Sequence, residues 1–221
     1  MRITRGIVIR NWAVAALAGI GLASLAHAGP FEDELAAIQH DWAAANYSMQ
    51  DRSAKVAAFE KLVARATAFA EANPDRAEPL VWQGIVYSTF AGAKGGLGAM
   101  GLAKKARAAL ESAEKMDPAV LDGSVYASLG TLYAKVPGWP IGFGDDRRAE
   151  EYLKKALEVN PHGIDPNYFY GEFLLEHGDR DRAVTYLERG LQAPPRPGRE
   201  DADAGRRTDI EALLAKTREK A

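Results

Sequence analysis

Apolar residues recur at intervals of three and four along most of the chain, and no stretch alternates strictly between apolar and polar. That spacing puts the apolar positions on one face of an α-helix, so an all-α fold is expected. Phe31, Leu35, Ile38, Trp42 and Ala45 predict a helix over 31–49, and Val56, Phe59, Val63, Ala66 and Ala70 a second over 52–72. Asn73-Pro74 ends the second helix, as Asp117-Pro118 and Asn160-Pro161 end later ones, because the residue before a proline is pushed out of the helical region. After the break at Ala193-Pro194-Pro195-Arg196-Pro197-Gly198, a charged helix from about 201 to 220 offers Ile210, Leu213 and Leu214 on one side.

Between these ends a ladder of small residues occurs three times. Counting back from Pro118, Pro161 and Pro195, a glycine stands at seventeen residues (Gly101, Gly144, Gly178) and an alanine at twelve (Ala106, Ala149, Ala183). A leucine follows at eight (Leu110, Leu153, Leu187) and a small residue at five (Ala113, Ala156, Gly190). Upstream lie Gly84, Gly130 and Gly171, each followed three residues later by Tyr87, Tyr133 or Leu174. Small residues at matched offsets let two helices approach closely, and stacked hairpins of this kind form one continuous core.

Over residues 78–195 the pattern resembles the tetratricopeptide repeat family, with Leu80, Tyr126 and Asn167 at its usual tryptophan position. The resemblance implies a right-handed solenoid of three helical hairpins, residues 29–77 forming a divergent N-terminal hairpin and 196–221 a C-terminal capping helix. It also implies a concave groove lined by Val81, Ile85, Ala127, Thr131, Tyr168 and Glu172, apolar at one end and acidic at the other. Family members that clamp a chaperone's carboxylate tail carry lysine, arginine and asparagine at such positions, a pattern this sequence departs from. An extended peptide, an amphipathic helix of a partner or a small apolar ligand suits such a groove better.

The three copies differ between the first helix and the glycine expected to open the second. Thirteen residues (88–100) intervene in the first copy, ten (134–143) in the second and three (175–177) in the third. Two enlarged loops on one edge are therefore expected, and loops longer than a connection needs are commonly functional. Val136-Pro137-Gly138-Trp139-Pro140-Ile141-Gly142-Phe143 is restricted by two prolines and carries two aromatics. These rings either fold back as a lid or meet a partner. Trp139, Phe143, Tyr133, Tyr168, Ile85 and Glu172 are the candidate partner-binding residues.

Chemistry-bearing motifs do not converge. Gly96-Leu97-Gly98-Ala99-Met100-Gly101 reads GxGxxG, but a dinucleotide site needs a strand before it, and a helix stands there instead. It is expected to be a small-residue connection. Asp145 and Asp179 each follow a ladder glycine and suit helix capping better than metal binding. His40, His162 and His177 lie on separate segments, no serine sits in a GxSxG context, and the chain has no cysteine. No catalytic, cofactor or metal site is therefore expected, and the chain does not read as an enzyme.

The chain opens with Arg2, Arg5 and Arg10 ahead of an apolar run from Trp12 to Leu25, then Ala26-His27-Ala28-Gly29. This is the form of a secretory signal peptide cleaved near Ala28-Gly29, its run being short for a spanning helix. Cleavage removes three arginines from 28 basic against 30 acidic residues and leaves a net charge of −5. A mildly acidic chain argues against nucleic acid, which demands a clustered basic surface. The expectation is a periplasmic or secreted, non-catalytic scaffold with a protein or peptide partner and no transmembrane segment after cleavage. The alternative is a small-ligand-binding accessory subunit of a solute uptake system, since the exported layout is also similar to the T-component of tripartite transporters.

Overall fold

The computed structural model describes residues 29–219, so the leader and its cleavage site lie outside the described residues. Helices pair in chain order. α1 (Pro30–Ala43), prolonged by a π-helical turn at Ala44–Ser48, packs on α2 (Arg52–Ala72), and α3 (Ala77–Lys94) packs on α4 (Gly96–Met116). α5 (Val120–Lys135) then pairs with α6 (Asp146–Val159) and α7 (Ile164–Glu176) with α8 (Arg180–Leu191), before α9 (Glu200–Glu219). The first helices α3, α5 and α7 touch in sequence and form one layer of a helical solenoid.

The ladder explains the pairing. A Cβ added to Gly84 would lie 2.5 Å from Leu110 Cγ, one on Gly130 2.7 Å from Leu153 Cγ, and one on Gly171 2.8 Å from Leu187 Cγ. Carbon atoms do not approach that closely, so each glycine is the notch that receives the leucine of its partner helix. Ala106, Ala149 and Ala183 are all fully buried beside those leucines, so the three positions are equivalent. Close packing of this kind is sensitive to a single methylene group. The first hairpin lacks the ladder and uses bulk instead: Ile38, Trp42, Phe59, Leu62 and Phe69 form a core that reaches Trp82, Val86 and Phe90 of α3. Caps fall where expected, Asp145 accepting from Arg148 N at 3.1 Å and Asp179 from Arg182 N at 3.3 Å.

One expectation fails outright. Residues 88–100 are not a loop: α3 continues to Lys94, Gly95 turns the chain at φ 62°, and α4 begins at Gly96. The extra residues lengthen the hairpin because Phe90 and Ala91 prolong the apolar face of α3 and are themselves buried. Gly101 thus lies inside α4 rather than at its start, and the GxGxxG run occupies the helix's first turns. The second enlarged connection is real, spanning 136–145 between α5 and α6.

α9 also does more than cover the last repeat. It packs on α7 and α8 and then crosses to α1 and the π-helical turn, so the first and last described helices meet. Gly205 lies directly against the Tyr47 ring, Ala202 joins the N-terminal core, and Ile210 is fully buried. No described helix is long and apolar enough to cross a membrane.

Candidate functional site

The inner layer and α9 enclose a cavity of about 520 Å³. α3 contributes Trp82, Ile85 and Thr89 to its wall, α5 contributes Ala127, Ser128 and Thr131, and α7 contributes Phe169. Met100 at the start of α4 and Val136 and Pro137 of the 136–145 loop complete one rim. The two insertions therefore do share an edge, although only the second is a loop, and Met100 packs close to Gly142. At the back, Trp42 Nε1 donates to Thr89 Oγ1 at 2.9 Å, which ties the N-terminal hairpin to α3.

The opposite wall is basic, contrary to the acidic end expected. Arg196, Arg199 and Arg206, from the segment after the last repeat and from α9, all line the cavity. Asp165, at the start of α7, accepts from Arg196 Nη1 at 2.7 Å and from Arg206 Nε at 2.9 Å. Arg196 also donates to Asp203 through Nε at 2.8 Å, and Arg206 to Asp209 at 3.2 Å. The Arg206 guanidinium lies 4.1 Å from the Tyr168 ring centre and 4.7 Å from that of Phe169. Burial alone would raise the Asp165 carboxyl, but the charges of Arg206 and then Arg196 outweigh it and hold its pKa at about 2. Burial pushes the Tyr47 phenol, under the same crossing, up to about 12.

Arg199 is different. Its guanidinium stacks 4.9 Å above the Trp82 ring, its Nε is buried without a hydrogen-bond partner, and no carboxylate among the described residues lies within ion-pairing distance. Burial and then the adjacent Arg196 charge depress its pKa below the usual arginine range.

The candidate residues separate. Ile85 lines the cavity, as do Ala127 and Thr131 of the expected groove. Val81, Tyr168 and Glu172 do not: Val81 is core, Tyr168 is covered by Arg206, and Glu172 is held by Lys135 at 3.1 Å. Tyr133 is wrong as a contact residue, because it is buried under Phe143 and stacked on Tyr152 at 5.8 Å. Tyr168 fails for the same reason, since a ring packed on all sides meets no partner. Phe143 is half-buried, edge-on to Tyr133 at 5.7 Å and covered by Arg107 at 4.3 Å, so it anchors its loop to the core. Trp139 is 89 % exposed and Ile141 73 %, so neither folds back as a lid. Their loop is held by Gly144 N donating to Pro137 O at 3.0 Å and by Asp145 N donating to Tyr133 O at 3.0 Å. Any side chain at Gly144 would collide with the Val136 carbonyl.

Sequence reasoning missed the arginines, which lie in a stretch read only as a break and a cap. The available signal was spacing: Ala202, Arg206, Ile210 and Leu214 recur every four residues, which places a charge on the buried stripe of α9. Among the described residues no group of histidine and acidic side chains is placed to hold a metal ion.

Known proteins agree with this architecture. Residues 141–200 match the tetratricopeptide repeat family. A thermophilic TPR protein of Thermus thermophilus superposes with a TM-score of 0.55 at 15 % identity, covering 85 % of this chain and 98 % of that one. MamA is more distant, at a TM-score of 0.44 and 18 % identity over 72 % of this chain and 92 % of its own. A 69-residue stretch is 33 % identical to the Sol locus transcriptional repressor of Clostridium acetobutylicum, covering 31 % of this chain. The chain spans about a fifth of that repressor's length. Residues 141–200 thus match the tetratricopeptide repeat, and the described residues fold as a tetratricopeptide-like helical solenoid.

Proposed function

We propose that this protein is a non-catalytic adaptor, exported through its N-terminal leader, which holds a segment of a partner protein in the cavity between α3, α5, α7 and α9. The cavity carries the reading: about 520 Å³ on the inner face of the repeats, walled by Trp82, Ile85, Ala127 and Phe169 with hydroxyl groups among them. Apolar walls with a few placed polar groups are the usual make-up of a binding site. The exposed Trp139 and Ile141 beside the rim form a second contact, on a loop whose backbone hydrogen bonds reduce the entropy lost on docking.

Photo-crosslinking side chains placed at Ser128, in the cavity, and at Trp139 are expected to trap the same partner in intact cells. A crosslinker at Glu151, exposed on α6, is expected to trap none. Equal trapping at Glu151, or none at Ser128, would refute the assignment. Trp139→Ala should leave the melting temperature nearly unchanged, within about 0.5 kcal/mol as for surface residues generally, while weakening capture. Phe143→Ala, by contrast, should cost about 2 kcal/mol, below the range for a fully buried phenylalanine because the ring is only partly covered.

The cavity volume favours a second reading, because about 520 Å³ falls in the range of small-molecule pockets. A ligand-binding subunit of a solute uptake system would then carry a small molecule there. Native mass spectrometry of the protein purified from its own cells should show that added mass, and a Ser128→Trp variant, which fills the cavity, should lose it.

A further inference from the structure

Outside the cavity, the edge of the stack that carries the 136–145 loop has a chemistry of its own. The loop holds out Trp139 and Ile141, the two most exposed large apolar side chains among the described residues, and Pro137 and Pro140 beside them are exposed as well. Its backbone is fixed from within, since Ile141 N and Gly142 N both donate to Gly138 O at 3.1 Å. An apolar tip that is held rigid and left uncovered marks a contact surface.

Cations border this tip on two sides. Met100 packs close to Gly142, and the Arg107 guanidinium lies 4.3 Å from the Phe143 ring centre. Residues 100, 104 and 107 share one face of α4, so Lys104 stands at the base of the loop between them. Across the loop, Arg147 and Arg148 occupy the first turn of α6, and Arg148 lies 4.2 Å from the ring of Tyr133, on which Phe143 rests edge-on. Lys104, Arg147 and Arg148 are exposed and take part in no ion pair among the described residues. The acids of the same edge are engaged: Asp145 caps α6, and Asp146 lies 3.2 Å from His177 Nε2. A positive arc therefore flanks an apolar tip on a chain that is acidic as a whole.

Resting on the partner-binding reading above, we propose that this edge docks on a protein surface whose apolar pocket takes Trp139 and Ile141 and whose rim presents aspartate and glutamate side chains to Lys104, Arg147 and Arg148. A tryptophan seated in a water-excluding pocket, with charged groups at the periphery, is the common distribution of binding energy over an interface. The peripheral charges speed encounter and reject basic surfaces, while the buried ring governs release. A lipid surface fits less well. Two apolar side chains on a tip stiffened by its own hydrogen bonds bury little area in a bilayer, and anionic headgroups repel the rest of an acidic chain.

The test selects a phage-displayed library of random sixteen-residue peptides, long enough to form an amphipathic helix, on the full chain and in parallel on Trp139→Ala and on the double variant Lys104→Glu, Arg147→Glu. Peptides retained by the parent and lost on Trp139→Ala are expected to carry at least twice the aspartate and glutamate of the unselected library. On the double variant the preference should turn to lysine and arginine. Far-UV circular dichroism and the melting temperature establish that each variant is folded. Trp139-dependent peptides with the acidic content of the unselected library would overturn the proposal and leave the adaptor reading standing. An acidic preference unchanged on the double variant would overturn the choice of cations. Co-sedimentation with vesicles of phosphatidylcholine and phosphatidylglycerol that is lost in Trp139→Ala would assign the edge to lipid and overturn the proposal. Selection of no Trp139-dependent peptide would also overturn it, and if the Ser128 crosslink failed as well, the partner-binding reading would fall with it.

Discussion

Asp165→Ala is expected to loosen α9 and to cost on the order of 2–3 kcal/mol in urea unfolding, somewhat less than the 3–5 kcal/mol typical of breaking a buried ion pair. The physical reason is that one carboxylate joins Arg196 and Arg206, whose bonds to it measure 2.7 and 2.9 Å, and the Arg206 side chain is only 10 % exposed. The effect stays below the full range because Asp203 and Asp209 each retain an arginine and 28 % of Asp165 is wet. The same bond gives a pH signature. The folded-state pKa of Asp165 is lowered from 3.8 to about 2, so its contribution is complete above pH 3.8 and is lost as the pH falls toward 2. In the alanine variant that part of the acid dependence should vanish. If Asp165→Ala unfolds at the same urea concentration as the parent, the crossing of α9 is not held by this carboxylate.

Leu153→Ala in the middle repeat is expected to cost about 3 kcal/mol, within the 2–5 kcal/mol usual for a buried leucine. Leu153 is almost fully buried, and its Cγ occupies the notch over Gly130. The more telling result is how the size of a second change depends on the first. Gly130→Ala in the parent should destabilise, because its methyl would fall 2.7 Å from Leu153 Cγ and 3.1 Å from Leu153 N, a backbone atom that cannot step aside. In the Leu153→Ala background the contacts with Cγ and Cδ2 are gone while the 3.1 Å approach to the backbone nitrogen stays, and it opposes the helix preference of alanine over glycine, about 1 kcal/mol. There the same change should cost far less than in the parent. Thermal melts of the four proteins give the coupling directly, and equal effects of Gly130→Ala in both backgrounds would show that the two residues do not meet.

These experiments probe two kinds of contact, and the two were unequally legible. Gly84 with Leu110, Gly130 with Leu153 and Gly171 with Leu187 follow from spacing alone, because both members lie on adjacent helices of one hairpin and recur three times. The caps at Asp145 and Asp179 were readable for the same reason, each acting on the backbone three residues ahead. Residues 88–100 misled because an insertion is equally compatible with a loop and with two longer helices. What decided was the burial of Phe90 and Ala91, which depends on the first hairpin packing against them. Tyr133 and Tyr168 misled because an aromatic at a groove position reads the same whether the groove is open or occupied by the chain's own side chains.

Local periodicity is a property of neighbours within a few turns, and it was enough to establish an all-helical stack, its repeat unit and the notches that join each pair. The cavity and its basic wall belong to another class of fact. Arg196 and Arg206 meet Asp165 because the segment after α8 and α9 itself pack on α7, and Arg199 stacks on Trp82 of α3 over a chain separation of more than a hundred residues. No periodicity spans such a distance, so the cavity and its basic wall were decided by how the last described helix packs back on the first.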